Sequence, residues 1–433
     1  MTSTTLPTYD TYKDSGVEWL GRVPAHWGVK RNLGVFDERN ERGRPDDELI
    51  SVTIDRGVIP QTEITTKKDS SNEDKSKYKV LKKGDLVYNK MRAWQGALGI
   101  SPYDGIVSPA YIVLRPKNPN LAKYFHYLYR TPQFITEANR LSYGLCGDMN
   151  SLRYEHFKGS YSPIPPDDEV DRIVAFLDEK TAMIDELIAK KKRQIELLDE
   201  QKNILINRAV TRGLNPDAKL KPSGIDWIGE IPEGWEVKRL GYIGRVGNGS
   251  TPSRSNTRFW DSPDFPWLNS SSVNQDVVTD CDQYVSTAAL RECHLPKLDP
   301  GTVIVAITGQ GKTRGTAALM KVHATINQHL AYLAVQDREI LPEFVHLSLK
   351  AQYYQLRSIS ESGSTKGALT CQDIKEFKIA MPPRQTQEQI IKKCQEIRTT
   401  VREASCISES KIKSLTSFCS TLIAHAVTGK IKI

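Results

Sequence analysis

The sequence has few cysteines and lacks a long apolar run. Its 433 residues include seven cysteines, and these are scattered without a C-x-x-C pair. This pattern argues against a disulfide framework and indicates reduced thiols. The apolar runs all fall short of the about 18 residues that a membrane span needs, and residues 1–7 lack the basic and apolar segments of an export signal. We therefore expect a cytoplasmic protein without a membrane segment.

Composition and charge indicate a globular chain with more than one domain. Hydrophobic residues make up 39% of the chain and aromatic residues 8%, which is too apolar for a disordered protein and too polar for a membrane protein. At roughly 100–200 residues per domain, this length suggests about two to four domains. The 60 Lys and Arg residues exceed the 52 Asp and Glu residues by eight. That excess permits a polyanionic partner without requiring one.

The chain repeats itself. Ser15–Arg31 is echoed by Ser223–Arg239, and both copies read Ser-Gly-x-x-Trp-x-Gly-x-x-Pro-x-x-Trp. The segment Gly84–Tyr88, which reads Gly-Asp-Leu-Val-Tyr, likewise has a counterpart in Gly301–Val305, which reads Gly-Thr-Val-Ile-Val. Two units of roughly 200 residues are too few and too long for a solenoid, so we expect two complete modules.

Each module begins with short strands and loops and ends with a long helix, which predicts an α+β fold in tandem. Gly- and Pro-bounded apolar runs indicate the strands, and residues from about 167 to 210 contain neither Gly nor Pro. The predicted boundaries are 1–162 for the first module, 163–215 for a central helix region, 216–379 for the second module and 380–433 for a C-terminal helix region.

The two helix regions carry matching apolar heptads. About 43 residues of helix would be roughly 65 Å long, which is too long for an ordinary packing element of a core. We predict that the two helices pack along each other, although the heptads alone leave their direction open. The apolar heptad residues are Val174, Leu177, Ile184, Ile188, Ile195, Leu198 and Leu205 in the first helix, and Ile391, Val401, Ile412, Leu415 and Leu422 in the second.

Motifs for catalysis are incomplete. Ala306–Thr313 matches a loosened phosphate-loop pattern, but no helix is predicted after it. Such a Gly-rich loop with Lys and Arg suits contact with nucleic-acid phosphates better. His323 and His329 lack partners at zinc spacing. We therefore predict no catalytic, cofactor-binding or metal-binding residue in this chain.

The repeated motifs resemble those of the specificity (S) subunits of type I restriction-modification systems, and the likeness covers essentially the whole chain. Besides the repeated opening motif, it rests on Gly84–Tyr88, Asp104–Tyr111, Gly249–Asn256, Phe259-Trp260 and Phe265–Trp267. The resemblance implies two target-recognition domains that each read one half of a split DNA sequence. It also implies that the two helices form an antiparallel coiled coil that sets the gap between the halves.

The resemblance further implies which partners supply the chemistry. The chain would bind double-stranded DNA and have no enzymatic activity itself. Two modification subunits, which are adenine methyltransferases, would use S-adenosylmethionine, and two restriction subunits would use ATP and Mg²⁺.

Loop residues with hydrogen-bonding or cationic side chains are the candidates for DNA contact. Lys and Arg suit phosphates, whereas Arg, Asn, Gln and Ser suit base edges. The candidates are Lys75, Lys77, Lys90, Arg92, Trp94 and Gln95 in the first module, and Arg254, Asn256, Arg258, Asn269, Ser271, Gln310, Lys312 and Arg314 in the second. Two alternatives remain at this point: a coiled-coil dimerisation scaffold without DNA specificity, and a phosphate-loop nucleotide-binding protein.

Overall fold

The structure, a computed structural model, describes residues 7–42, 44, 46–64, 75–144, 150–309, 313–362 and 367–433. It divides into two compact units. Unit 1 comprises Met1–Lys192 and Glu409–Ile433, and unit 2 comprises Arg193–Ser408. Each long helix therefore contributes one segment to each unit.

Unit 1 combines short strands with three shorter helices and one segment of each long helix. Its strands are β1 (Tyr12–Asp14), β2 (Arg22–Pro24), β3 (Gly28–Arg31), β4 (Phe36–Glu38), β5 (Ile50–Thr53), β6 (Gly57–Pro60), β7 (Lys79–Leu81), β8 (Leu86–Asn89), β9 (Leu98–Ile100), β10 (Gly105–Val107), β11 (Tyr111–Pro116) and β12 (Tyr161–Ile164). Its helices are α1 (Ala122–Tyr129), α2 (Pro132–Arg140), α3 (Tyr154–Gly159) and the beginning of α4 (Asp167–Arg212).

The largest sheet of unit 1 has the strand order β4-β11-β8-β9, with antiparallel neighbours. Leu86 and Tyr88 of β8 belong to a core that includes Phe125 of α1, whereas Val87 belongs to a second core with Val52 of β5. Because successive side chains of a strand point to opposite faces, β8 is covered on both faces. This explains why its sequence is a continuous apolar run.

Unit 2 likewise combines short strands with helices. Its strands are β13 (Leu220–Pro222), β14 (Glu230–Pro232), β15 (Glu236–Arg239), β16 (Gly244–Asn248), β17 (Phe265–Leu268), β18 (Val277–Val278), β19 (Tyr284–Val285), β20 (Val303–Ala306), β21 (Ala317–Met320), β22 (Thr325–Ile326), β23 (Leu330–Val335) and β24 (Lys378–Met381). Its helices, besides the end of α4, are α5 (Leu240–Ile243), α6 (Thr287–Glu292), α7 (Pro342–Ala351), α8 (Tyr353–Ser362), α9 (Cys371–Glu376) and the beginning of α10 (Arg384–Val427).

The duplication predicted from the sequence is confirmed by the strand order. The main sheet of unit 2 has the order β16-β23-β20-β21-β18, in which the first four strands correspond to β4-β11-β8-β9. β20 also repeats the two-sided burial of β8, because Val303 and Val305 lie in one core and Ile304 lies in another.

The long helices run antiparallel within each unit. In unit 1, Val170 and Leu177 near the start of α4 share a core with Leu422 near the end of α10. In unit 2, Val210 near the end of α4 shares a core with Ile390 near the start of α10. This is the direction that the resemblance implied and that the heptads alone left open.

The predicted heptad residues are buried or half-buried, with one exception. Leu177, Ile184 and Leu422 are buried, and Val174, Ile188, Ile195, Leu198, Ile391, Val401, Ile412 and Leu415 are half-buried. The prediction is wrong at Leu205, which is 38% exposed, whereas Ile206 is 5% exposed. An α-helix drifts by about 20° per heptad relative to a strict seven-residue repeat. Over roughly four heptads this drift approaches the about 100° between successive residues, so the buried position moves by one residue.

Both long helices end at a glycine that packs against a tryptophan of an opening motif. Gly213 after α4 has a φ of +76°, and Gly429 after α10 has a φ of +69°, a left-handed conformation that glycine adopts without steric cost. A Cβ on Gly213 would lie 3.1 Å from the Trp235 ring, and one on Gly429 would lie 3.2 Å from the Trp27 ring. The repeated tryptophan therefore docks each module onto a helix end.

Candidate nucleic-acid interface

Loops from separate parts of the sequence meet at one edge of the main sheet in unit 2. β16 and β20 both pair with β23 in the antiparallel sense, so the carboxyl ends of β16 and β20 lie beside the amino end of β23. β17 runs parallel to β22, with Leu268 opposite Ile326, and brings the segment after it to the same edge. We call the described residues 249–260, 269–271, 307–309, 313–316 and 327–329 the recognition edge of unit 2.

Gly249 allows two of these loops to approach closely. A Cβ at this position would lie 1.7 Å from the carbonyl oxygen of Ile326, so any other residue would force the backbones apart. Ser250 N donates to the same carbonyl at 3.1 Å, and Asn327 N donates to the carbonyl of Leu268 at 2.9 Å. The Gly249–Asn256 motif is thus pinned to the neighbouring loops through its backbone.

Arg254 is exposed at the recognition edge and stacks on an aromatic ring. Its guanidinium carbon lies 3.7 Å from the centroid of the Trp260 ring, and one of its nitrogens donates to Gln283 Oε1 at 3.0 Å. Four residues along the loop, the exposed Arg258 pairs with Glu292 at 2.9 Å.

Asn269 and Ser271 are brought together at the start of a 3-10 helix, Ser270–Asn274. Asn269 Oδ1 accepts hydrogen bonds from the backbone nitrogen of Ser271 at 2.8 Å and from its hydroxyl at 2.5 Å. Asn256 is half-buried on the adjacent loop.

The loop between β20 and β21 holds the remaining candidates of unit 2. Gln310 and Lys312 lie outside the described residues. Arg314 is 11% exposed in its side chain and pairs with Glu361 at 3.5 Å. This burial makes Arg314 a support for the loop rather than an open surface contact.

The corresponding loop of unit 1 joins β8 to β9. It carries Lys90, Arg92, Trp94 and Gln95, of which Arg92 and Gln95 are exposed and the other two are half-buried. Trp94 Nε1 donates to the carbonyl of Met91 at 3.0 Å, which holds the ring against its own loop. Lys75 and Lys77 lie elsewhere, on a 3-10 helix that precedes β7.

Polar residues that the sequence analysis did not select complete the recognition edge of unit 2. Thr251 Oγ1 donates to Gln328 Oε1, and Thr308 Oγ1 shares a 2.7 Å hydrogen bond with His329 Nδ1. A signal was available, because Asn327-Gln328-His329 is a polar run between two buried strands. Such a run is a loop that the strands hold in place.

Partly exposed ion pairs around Asp276, whose side chain is 41% exposed, lie behind these loops in unit 2. Asp276 follows the 3-10 helix of Ser271 and accepts from Lys350 at 2.6 Å and from Arg398 at 3.1 Å. Burial acts to raise the pKa of Asp276, but hydrogen bonds from His346 and Lys350 outweigh it and hold this pKa well below its usual range. Asp276 therefore stays ionised and ties its segment to α7 and α10.

The strand that follows β20 differs from the element that follows a phosphate loop. The described residues contain no group of three or more His, Cys, Asp or Glu residues that could hold a metal ion. After the loop at 307–316 the chain enters β21, which pairs antiparallel with β20, whereas a phosphate loop leads from a strand into a helix. The described helices are all too short or too polar to span a membrane.

Comparison with known proteins identifies similar chains. A family model described as the type I restriction modification DNA specificity domain matches residues 24–197 and 232–402. A putative type I restriction enzyme MjaX specificity subunit of Methanocaldococcus jannaschii is 22% identical, with 96% of both chains covered. The EcoR124I/EcoR124II specificity subunit of Escherichia coli is 22% identical over 63% of this chain and 62% of its own.

Two solved structures share the fold. A chain from a study of assembly and conformational transition in the type I R-M system has a TM-score of 0.68 at 17% identity, covering 94% of this chain and 98% of that one. The HsdS subunit from Thermoanaerobacter tengcongensis has a TM-score of 0.54 at 18% identity with the same coverage.

Proposed function

The chain belongs to the type I restriction modification DNA specificity family, and from this premise we propose that it selects the DNA sequence on which a type I restriction-modification complex acts. The chain itself catalyses no reaction. Each recognition module, 1–162 and 216–379, reads one half of a bipartite, asymmetric target.

One observation carries this proposal: the same strand order is repeated in both units, with different residues in the loops at equivalent places. At equivalent places the residues differ. Ser108-Pro109-Ala110 precedes β11 in unit 1, whereas Asn327-Gln328-His329 precedes β23 in unit 2; Lys90, Arg92 and Gln95 follow β8, whereas Thr308 and Arg314 follow β20. A duplicated scaffold with unlike reading loops suits a target whose halves differ, because base edges are read by particular side chains.

The long helices supply the spacing between the half-sites. α4 has 46 residues and α10 has 44, and each continues from one unit into the other. At about 1.5 Å per residue, a helix of this length extends roughly 65–70 Å, comparable to about 20 base pairs. Spacer length is then a property of the helices, and base preference is a property of the modules.

Two modification subunits supply adenine methylation with S-adenosylmethionine, and two restriction subunits supply ATP-dependent cleavage with Mg²⁺. An exposed apolar surface on the helix pair of unit 1 supports the proposal that other proteins bind this chain. Met183, Leu187 and Phe418 are 52%, 47% and 58% exposed and line a groove of about 520 Å³. Exposed apolar patches of this kind mark protein contacts rather than DNA contacts.

The test is to sequence methylated adenines after incubating DNA with modification subunits and S-adenosylmethionine, with and without this chain. We expect methylation at a motif of two unlike half-sites with a constant spacer, only when the chain is present and co-purifies with the modification subunits. Methylation that is the same with and without the chain, or methylation at a continuous motif without a spacer, would contradict the proposal. A dimerisation scaffold without DNA specificity predicts no motif at all.

A further inference from the structure

We propose that Arg254 reads a guanine in the half-site bound by unit 2 and that Trp260 positions its guanidinium; this inference rests on the proposed function and deepens it. The guanidinium carbon of Arg254 lies 3.7 Å from the centroid of Trp260 and 5.2 Å from that of Trp267. An arginine over the face of an indole gains cation–π attraction and keeps the edge of its planar fork open to a ligand.

The platform under Arg254 is itself held in place. Trp260 Nε1 donates to the carbonyl of Ser253 at 3.1 Å, and its ring meets Trp267 edge to face, with centroids 5.3 Å apart and an angle of 85°. Trp267 is 3% exposed and donates from Nε1 to the carbonyl of Ser250 at 3.2 Å. Each ring is thus locked by the loop that carries Arg254.

A hydrogen bond to Gln283 restricts the rotation of the Arg254 guanidinium. Arg254 donates to Gln283 Oε1 at 3.0 Å, while the backbone carbonyl of Gln283 accepts from Trp267 N at 2.8 Å. The side chain has therefore already lost much of the freedom that binding would otherwise remove. Its remaining N–H donors are sufficient for a bidentate contact.

Arg254 lacks the acidic partner that neighbouring arginines have. Among the described residues, Arg258 pairs with Glu292 at 2.9 Å and Arg314 with Glu361 at 3.5 Å, whereas no described carboxylate lies within 4.0 Å of Arg254. The guanidinium of Arg254 is stacked, exposed and without a described carboxylate partner, so it can donate to two hydrogen-bond acceptors of a ligand.

Guanine is the base whose major-groove edge offers such a pair, O6 and N7. A phosphate also offers acceptors, but phosphate contacts tolerate flexible side chains and carry no sequence information. Locking by Trp260 and Gln283 is instead what a contact at one base pair requires. The neighbouring Asn256 and Asn269 are neutral groups of the kind that read base edges.

The experiment uses the complete complex with modification subunits and the target that methylation sequencing defines. Binding is measured for a set of DNA duplexes, each changed at one base pair, with the wild-type chain and with Arg254→Gln, Arg254→Lys, Trp260→Leu and Trp260→Phe. For wild type, one G·C pair in the half-site of unit 2 should give roughly a five- to hundredfold preference. Arg254→Gln and Arg254→Lys should lose that preference and keep the others. Trp260→Leu should reduce it and Trp260→Phe should largely retain it.

Arg291→Gln is the matched control, because it removes one exposed positive charge from the same module on α6. It should keep the base preferences. The inference is wrong if Arg254→Gln retains every base preference. It is also wrong if Arg254→Gln weakens binding to all duplexes equally and lowers the salt dependence by about one ion while Arg254→Lys binds normally, because a phosphate contact behaves in this way. A wild-type complex without a bipartite motif overturns the proposed function as well, so the two failures are distinguishable. Thermal unfolding of each variant shows that it is folded.

Discussion

At the residue scale, the carboxylate of Glu169 links the start of α4 to the opening motif of unit 1, because it accepts a hydrogen bond from Trp27 Nε1 at 2.9 Å. The sequence analysis found the Gly-x-x-Pro-x-x-Trp motif in both modules, and its last tryptophan is buried in each, since Trp27 and Trp235 are 0% and 5% exposed. Glu169, however, was not selected. It belongs to a polar helix start, and its three partners lie about 140 to 160 positions away in the chain.

Glu169 is predicted to stabilise unit 1 through these partners. Its carboxylate, on a residue that is 9% exposed, accepts from Tyr9 Oη at 2.8 Å, from Trp27 Nε1 at 2.9 Å and from His26 Nε2 at 2.5 Å. Glu169→Ala leaves buried donors without an acceptor, so the free energy of unfolding should fall by about 2–4 kcal/mol. Urea denaturation at pH 7 measures this loss. Glu186→Gln, at an exposed site on the same helix, should change it by less than about 0.5 kcal/mol.

The same site has a defined pH dependence. Burial acts to raise the pKa of Glu169, but the hydrogen bonds from Trp27, Tyr9 and His26 outweigh it and lower this pKa below its ordinary value. A carboxyl with a lowered pKa contributes stability above the ordinary value and loses it as the pH falls through the folded-state pKa. The difference between wild type and Glu169→Ala should therefore shrink on acidification. A difference that grows as the pH falls would contradict the role of the ionised carboxylate.

At the element scale, periodicity predicted the long helices and the buried strands well. Both helices are uninterrupted because they lack Gly and Pro, and β8 and β20 are apolar because both of their faces are covered. The failure at Leu205 has a geometric cause, since a strict heptad does not follow a straight helix for four repeats. The antiparallel direction and the docking of each tryptophan at a helix end depend on contacts between distant segments, which local patterns do not contain.

Shortening both helices by one heptad is predicted to shorten the DNA spacer. Deleting Lys191–Leu197 from α4 and Ala404–Ser410 from α10 keeps the face of each helix nearly in phase. It removes about 10 Å, or roughly three base pairs. Methylation sequencing should show both half-sites unchanged with a shorter spacer. Altered half-site bases with the original spacer would contradict the assignment of spacing to the helices.

At the scale of the whole molecule, the internal repeat predicted the architecture, whereas the composition predicted little. An excess of eight positive charges is compatible with many functions, but two copies of one strand order with unlike loops point to two reading surfaces. The loop residues themselves were predicted less well. Side-chain partners such as Glu361 of α8 for Arg314 and Gln328 for Thr251 are set by how distant strands and helices pack, and this decides which polar groups remain open to a ligand.

The structure offers matching junctions for exchanging one reading surface. Asn32 N donates to the carbonyl of Ser160 at 2.8 Å, and at the equivalent place Leu240 N donates to the carbonyl of Phe377 at 3.0 Å. A chain in which Asn32–Ser160 replaces Leu240–Phe377 therefore keeps the flanking strands β15 and β24 and both long helices.

The most direct test is to sequence the adenines methylated by the complex that contains this exchanged chain. If each module reads its half-site independently, the motif should have the first module's half-site at both ends, as an inverted repeat because the helices run antiparallel, with the spacer unchanged. An unchanged asymmetric motif, or loss of every half-site preference in a folded complex, would contradict the account.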